Sequence, residues 1–205
     1  CVDEVITGFG RTGKNFAMDH FGVVPDLISV AKGLGGGYVP IGAVIAHKKV
    51  VDAFEKGSRN LIHSFTFAGN PLVCAGASAV LSYTVNNNLV ERAAKEGEVG
   101  KLKDALGDSP VIGDIRGVGM LIGVELVKDR EKKEPFDPGK NVSGFIAGYC
   151  FDHGLLISSG VTGTADGISG EALQISPPLI LDEDEMDFAV DILKTAVLEA
   201  ERRFL

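Results

Sequence analysis

The chain has 205 residues, 45% of them hydrophobic, which is enough to bury the core of one large domain or of a domain with a subdomain. Its formal net charge of −8 and its pI near 5.0 argue against a surface for nucleic acid or for acidic membranes, because such surfaces need clustered lysine and arginine. The three cysteines are scattered, and the sequence has neither an apolar run long enough to span a bilayer nor a secretory signal pattern, so we predict a cytoplasmic protein with reduced thiols.

Short apolar strands separated by glycine- and proline-containing loops are predicted in the first part of the chain. The first strand ends near Val5, the second covers residues 27–30, and the third covers residues 41–46. Strands this uniformly apolar are typical of a sheet covered on both faces. The chain opens inside the first strand, so it is expected to be a piece of a longer protein.

Helices and further strands are predicted in the rest of the chain. The pattern indicates helical stretches at 71–83 and 89–106, a charged loop at 128–140, and helices at 142–153 and 183–202, the last capped by Asp182. Strands are predicted near 111–116, 120–126, 155–157 and 172–175. We therefore expect three parts: the end of a large domain at 1–70, connecting helices at 71–108, and an α+β domain at 109–205.

Two segments carry the chemistry. In Asp3-Glu4-Val5-Ile6-Thr7-Gly8-Phe9-Gly10-Arg11-Thr12-Gly13, an acidic residue ends a strand and leads into a glycine-rich loop, where Asp3 alone would read as a loop-capping carboxylate. In Ala31-Lys32-Gly33-Leu34-Gly35-Gly36-Gly37, a lysine follows an apolar strand. Glycines beside a lysine leave room for a bulky group near its amine, and a desolvated lysine has the lowered pKa that imine formation requires.

These segments resemble the class III (ω-type) aminotransferases, which are pyridoxal-phosphate (PLP) enzymes of fold type I. Three further runs carry the resemblance: His63-Ser64-Phe65-Thr66-Phe67-Ala68-Gly69-Asn70-Pro71, Ile115-Arg116-Gly117-Val118-Gly119-Met120, and Gly163-Thr164-Ala165-Asp166-Gly167 before Pro177-Pro178. The resemblance extends over essentially the whole chain, which it identifies as the C-terminal half of such an enzyme. It implies an α/β fold: the end of the large-domain sheet followed by an α+β small domain.

The resemblance also implies roles for four residues. Lys32 would hold PLP as a Schiff base and serve as general acid and base, and Asp3 would pair with the protonated pyridine nitrogen. Val5, two residues beyond Asp3 on the same strand face, would pack on the ring. Thr66 would bind the cofactor phosphate of a neighbouring subunit in a homodimer. The implied reaction is transamination between an amine or amino acid donor and a 2-oxo acid acceptor, and no metal site is expected.

Three other readings remain open from the sequence. Another class III reaction, such as an aminomutase or decarboxylase reaction, would use the same residues, and a non-catalytic relative of the family is a further alternative. Residues Gly8 to Lys14 also match Gly-x4-Gly-Lys, the start of a nucleotide-binding P-loop, but Asn15 replaces the Ser or Thr that would hold magnesium. Leu173-Gln174-Ile175-Ser176 lacks the arginine that acetylornithine- and ornithine-type relatives carry there, which favours an amine or ω-amino acid donor.

Overall fold

The structure, a computed structural model, describes residues 1–63, 65–95, 99–158 and 160–205. The chain folds into two compact units, Cys1–Lys95 and Glu96–Leu205. The division into parts 1–70, 71–108 and 109–205 stays a prediction. None of the described helices combines the length and the apolar composition needed to cross a membrane.

The first unit contains a sheet with strand order β1-β2-β3, formed by β1 Val2–Asp3, β2 Leu27–Val30 and β3 Ala43–Ala46. β1 and β2 are parallel, and β2 and β3 are antiparallel. β2 covers the predicted residues. All four residues of β3, the edge strand of this sheet, are exposed, which differs from the expected coverage on both faces.

Three helices follow in the first unit: α1 Lys48–Lys56, α2 Pro71–Asn86 and α3 Leu89–Lys95. α1 was not predicted. α2 begins at Pro71 because the Asn70 side chain accepts hydrogen bonds from the backbone of Leu72 and Val73 at 3.0 and 3.2 Å, and proline at the first helical position lacks an N–H that would need a partner. The predicted helix 89–106 corresponds to α3 and to a second helix in the next unit, and its residues 96–98 lie outside the described residues.

The second unit is an α+β arrangement, as predicted. Its antiparallel sheet has strand order β4-β5-β7-β6, with β4 Ile112–Val118, β5 Leu121–Leu126, β6 Val161–Thr162 and β7 Glu171–Ile175. The helices are α4 Val99–Leu106, α5 Val142–Asp152 and α6 Glu183–Phe204. Alternate residues of β5 are buried, and this face packs with apolar residues of the helices.

The strand predicted at 155–157 is wrong. Leu155 and Ile157 are partly buried against the core, while Leu156 is 81% exposed. Burial therefore alternates as it would in a strand, but these residues form no strand hydrogen bonds with a neighbouring strand. Instead, β6 pairs with β7 at Val161 and Thr162, after Gly160 has turned the chain with a positive φ of 87°. One-sided burial therefore reflected packing and not strand pairing.

Candidate active site at the ends of two parallel strands

Asp3 and Lys32 are brought to one edge of the first sheet. Asp3 is in register with Ser29 across the parallel pair β1-β2, and Lys32 follows Ser29 by three residues. The carboxyl ends of parallel strands meet at the same edge, which is where open α/β sheets bind their ligands. The structure therefore places the predicted lysine and the predicted carboxylate on neighbouring strand ends.

Lys32 itself has an uncommon backbone conformation. Its φ of 38° lies in the left-handed region, and it begins a short 3₁₀ turn, Lys32–Leu34. Val30 and Leu34 on either side are buried, whereas Lys32 is exposed. A strained non-glycine residue persists only where its surroundings hold it, and such residues concentrate at functional sites.

The glycines beside Lys32 differ in the space around their own α-carbons. A Cβ on Gly35 would lie 2.3 Å from the carbonyl oxygen of Val39, and one on Gly33 would lie 3.4 Å from the carbonyl oxygen of Gly8 and from Cβ of Phe9. Gly35 therefore lets the chain pack closely on itself, whereas a side chain at Gly33 would meet its neighbours at an ordinary contact distance. Gly37, with a φ of 82°, has nothing within 4 Å of such a Cβ. Room for a bulky group beside the Lys32 amine stays a prediction.

Asp3 and Val5 are linked by a hydrogen bond. The backbone N–H of Val5 donates to Oδ1 of Asp3 at 2.9 Å, and Asp3 is exposed. β1 ends at Asp3, so half-buried Val5 lies in the following turn, and the expectation that it continues the strand face of Asp3 is wrong. The turn forms because the Asp3 side chain accepts the N–H two residues on, as in an Asx turn. A ring contact by Val5 stays a prediction.

Glu4 is a residue of this region that the sequence did not single out. Its side chain is 1% exposed and accepts hydrogen bonds from the backbone N–H groups of Ala17 at 3.0 Å and Met18 at 2.9 Å, and from the hydroxyl of Thr7. Its own N–H donates to the carbonyl oxygen of Ser29 at 2.9 Å. Apart from Thr7, these partners lie 13 or more residues away along the chain, so no local pattern marks this residue.

The glycine-rich loop does not have the geometry of a P-loop. It consists of turns closed by a bond from the N–H of Phe9 to the carbonyl oxygen of Asn15 at 2.7 Å, followed only by the 3₁₀ turn Ala17–His20. A P-loop presents its backbone N–H groups at the start of an α-helix, and this loop does not lead into one. Burial lowers the pKa of the Arg11 guanidinium in this loop, yet that group stays charged at neutral pH.

Thr66 is distant in sequence from Asp3 and Lys32. It is exposed, in the segment between α1 and α2, and Ser64 of the same predicted motif lies outside the described residues. No strand pairing of the described unit brings Thr66 to Asp3 or Lys32. Its contact with a neighbouring subunit stays a prediction.

Arg116 is paired within the second unit. Its guanidinium bonds Glu125 at 2.9 Å and Asp114 at 2.8 Å, and these bonds raise the pKa of Arg116 and lower that of Asp114. All three side chains are at least two-fifths exposed, so the pairs contribute little stability. Among the described residues, no group of three or more His, Cys, Asp or Glu side chains is arranged to hold a metal ion.

Comparison with known proteins identifies the family. Residues 1–197 match the sequence model of the family described as Aminotransferase class-III. The chain belongs to the class III aminotransferases. The resemblance carried by the sequence motifs is thereby confirmed.

Two relatives of this chain differ in the substrates that their names give. The chain is 42% identical over 94% of its length to an acetylornithine aminotransferase of Methanothermobacter thermautotrophicus, and it spans 43% of that protein. It is 40% identical over 98% of its length to a leucine/methionine racemase of Thermococcus litoralis, of which it spans 42%. The chain thus spans less than half the length of these relatives.

The fold agrees with solved transaminases. The PMP-bound form of an aminotransferase from Vibrio fluvialis matches with a TM-score of 0.88 and 32% identity over 100% of this chain and 44% of that one. This confirms the predicted α/β fold of type I PLP enzymes.

The residues at the strand ends fit PLP, the cofactor of class III aminotransferases. PLP offers an aldehyde that condenses with a primary amine and a ring nitrogen whose protonated form pairs with an anion. The site has one group of each required kind, an exposed amine at Lys32 and an exposed carboxylate at Asp3, on adjacent strand ends.

Proposed function

We propose that this protein catalyses PLP-dependent transamination between an amine or amino acid donor and a 2-oxo acid acceptor, with Lys32 carrying the cofactor. The observation that supports this most directly is the placement of Lys32, at a φ of 38° between buried Val30 and Leu34, on the strand end beside Asp3. An aminomutase or decarboxylase reaction has no observation in its favour.

When bound, PLP supplies an electron sink for the pair of electrons left at Cα of the donor. The chain's own contribution would come first from Lys32, whose amine would hold the cofactor. The same amine would act as the base that removes the proton from Cα of the donor and as the acid that delivers it to C4′ of the cofactor.

Asp3 would act through its charge. A carboxylate beside the cofactor's ring nitrogen stabilises the proton on that nitrogen, which keeps the ring able to accept electrons. The bond from Val5 N–H to Oδ1 of Asp3 holds this carboxylate in one orientation. Val5 would contact the ring from the turn, and Thr66 would bind the phosphate of a partner subunit in a cytoplasmic homodimer.

The donor is proposed to be an amine or an ω-amino acid. The relatives named above act on different amino acids, so family membership alone does not select a donor. In this chain β7 ends Leu173-Gln174-Ile175, and the segment 158–171 contains no arginine to hold an α-carboxylate in a bidentate pair.

Borohydride reduction tests the role of Lys32. Reduction of the full-length, PLP-loaded protein should fix the cofactor on the peptide that contains Lys32, as read by mass spectrometry. Lys14 and Lys48, exposed lysines of the same unit, serve as internal controls. Label on either of them, with Lys32 unmodified, would overturn the assignment.

A donor screen tests the reaction. Full-length protein is incubated with amines, ω-amino acids and α-amino acids, each with pyruvate or 2-oxoglutarate, and amino-group transfer is measured. We expect transfer from amines or ω-amino acids. Inversion of a single enantiomer of leucine or methionine without any 2-oxo acid would instead indicate a racemase.

A further inference from the structure

Glu4 joins two segments that meet next to the proposed cofactor lysine. Its backbone N–H bonds to the carbonyl oxygen of Ser29 in β2 at 2.9 Å, three residues before Lys32. Its side chain, 1% exposed, bonds to the N–H groups of Ala17 and Met18. One residue thus ties β2 to the far end of the glycine-rich loop.

The loop that Glu4 closes packs against residues near Lys32. Phe9 and Phe16, at its two sides, lie edge to face with ring centroids 5.6 Å apart. Both rings pack against the buried cluster that contains Val30 and Leu34, the residues that flank Lys32 on either side. Displacing the loop would therefore loosen the backbone on both sides of the lysine.

A second contact leads from the loop to Lys32 itself. Gly33 follows Lys32 and lies next to the loop, where a Cβ added to Gly33 would meet Gly8 and Phe9 at the ordinary contact distance of 3.4 Å. Gly8 in turn donates its N–H to the carbonyl oxygen of Glu4 at 3.0 Å. A left-handed φ such as that of Lys32 persists only where neighbouring residues hold it, and this loop is among those neighbours.

We infer that Glu4 is a positioning residue: its buried carboxylate locks the glycine-rich loop against the strand ends and so holds Asp3 and Lys32 in the arrangement that binds the cofactor. The inference rests on the proposed function. Glu4 makes no contact with the reacting groups and acts through the backbone of its neighbours.

The second unit contains a matched control. Glu171 is also buried, at 3% exposure, and its carboxylate accepts hydrogen bonds from the N–H groups of Val142 at 3.0 Å and Ser143 at 2.7 Å and from the Ser143 hydroxyl at 2.5 Å. Glu4 and Glu171 thus share burial, two backbone partners and one hydroxyl partner. Only Glu4 belongs to the unit that carries Lys32.

The test compares Glu4→Gln with Glu171→Gln in the full-length protein. A glutamine amide cannot accept the second N–H, so both variants lose one charged hydrogen bond, and both should unfold at a lower temperature. Only Glu4→Gln should raise the dissociation constant for PLP, by on the order of tenfold, measured by fluorescence titration well below the unfolding temperature. Its kcat should fall more than the KM of the donor rises.

Thr7→Val is a milder variant for the case in which Glu4→Gln does not fold. It removes only the hydroxyl that donates to Glu4 and should raise the PLP dissociation constant in the same direction by a smaller factor. An unchanged constant in a folded Glu4→Gln protein, an unchanged constant in Thr7→Val if Glu4→Gln does not fold, or an equal rise in Glu171→Gln, would overturn the inference. Failure of the wild-type protein to take label at Lys32 would instead overturn the proposed function.

Discussion

Asp3 and Glu4 are adjacent carboxylates with opposite surroundings. Asp3 is exposed at the end of β1 and accepts one backbone N–H, whereas Glu4 is buried and fully engaged with backbone and hydroxyl donors. The exposed carboxylate is available to a ligand, and the buried one has no free face to offer. The two residues are therefore expected to respond differently to removal of their charge.

Asp3→Asn should act on turnover and little on folding. The amide keeps the shape of the side chain and, through its oxygen, the bond from Val5, but it removes the charge proposed to stabilise the cofactor's ring proton. We expect kcat to fall at least about a hundredfold, equivalent to roughly 2.7 kcal/mol of activation free energy. Steady-state kinetics measure this, with the thermal unfolding temperature as the control; near-normal kcat would contradict the role.

At the scale of elements, the helix starts show how local chemistry sets boundaries. α6 begins at Glu183 because Oδ1 of Asp182 accepts the N–H of Glu185 at 2.9 Å, while the Glu185 side chain accepts the N–H of Asp182 at 3.0 Å. This reciprocal pair satisfies two backbone donors that the helix leaves open. It confirms the predicted cap.

Asp182→Ala should destabilise the second unit. The substitution removes the cap of a 22-residue helix and should lower the free energy of unfolding by about 1 kcal/mol, measured by urea denaturation. Asp184→Ala is the control, because Asp184 lies in the first turn without being the cap and adds only its attraction to the helix dipole. An equal decrease in the free energy of unfolding in the two variants would show that the negative charge near the helix start, and not the capping hydrogen bond, provides the stability.

At the scale of the whole molecule, the two units bury their cysteines differently. Cys150 of the second unit lies in the core with no exposure, and burial raises the pKa of its thiol to about 11, while Cys74 of the first unit is exposed. Only a thiolate reacts readily with alkylating reagents. Reactivity at Cys150 should therefore require opening of the second unit.

Alkylation of the native protein near pH 8 should accordingly modify Cys74 quickly and Cys150 only after denaturation, as followed by mass spectrometry. Equal labelling rates of Cys74 and Cys150 in the native protein would contradict this burial.

The raised pKa of the Cys150 thiol has a consequence for stability as well. Below about pH 9 this thiol is protonated in both the folded and the unfolded chain. Between about pH 9 and 11 the unfolded chain loses the proton first, so the free energy of unfolding should fall with rising pH.

The sequence by itself determined the features that depend on neighbours in the chain. The family could be recognised because the motifs around Asp3 and Lys32 are continuous runs, and the extent of β2 and the cap of α6 follow from periodicity and from hydrogen bonds spanning three residues. The strand predicted at 155–157 is wrong because alternating apolar residues indicate burial on one side and do not show that a partner strand is present.

Only the tertiary structure decided how these runs meet. The register of Asp3 with Ser29, the positive φ of Lys32 and the burial of Glu4 all depend on contacts between distant segments. The Glu4 carboxylate bonds residues 13 and 14 positions away, beyond the reach of any local pattern, so its role became visible only once the loop had folded back. The sequence determines which side chains are present, whereas the fold determines which groups a buried charge contacts.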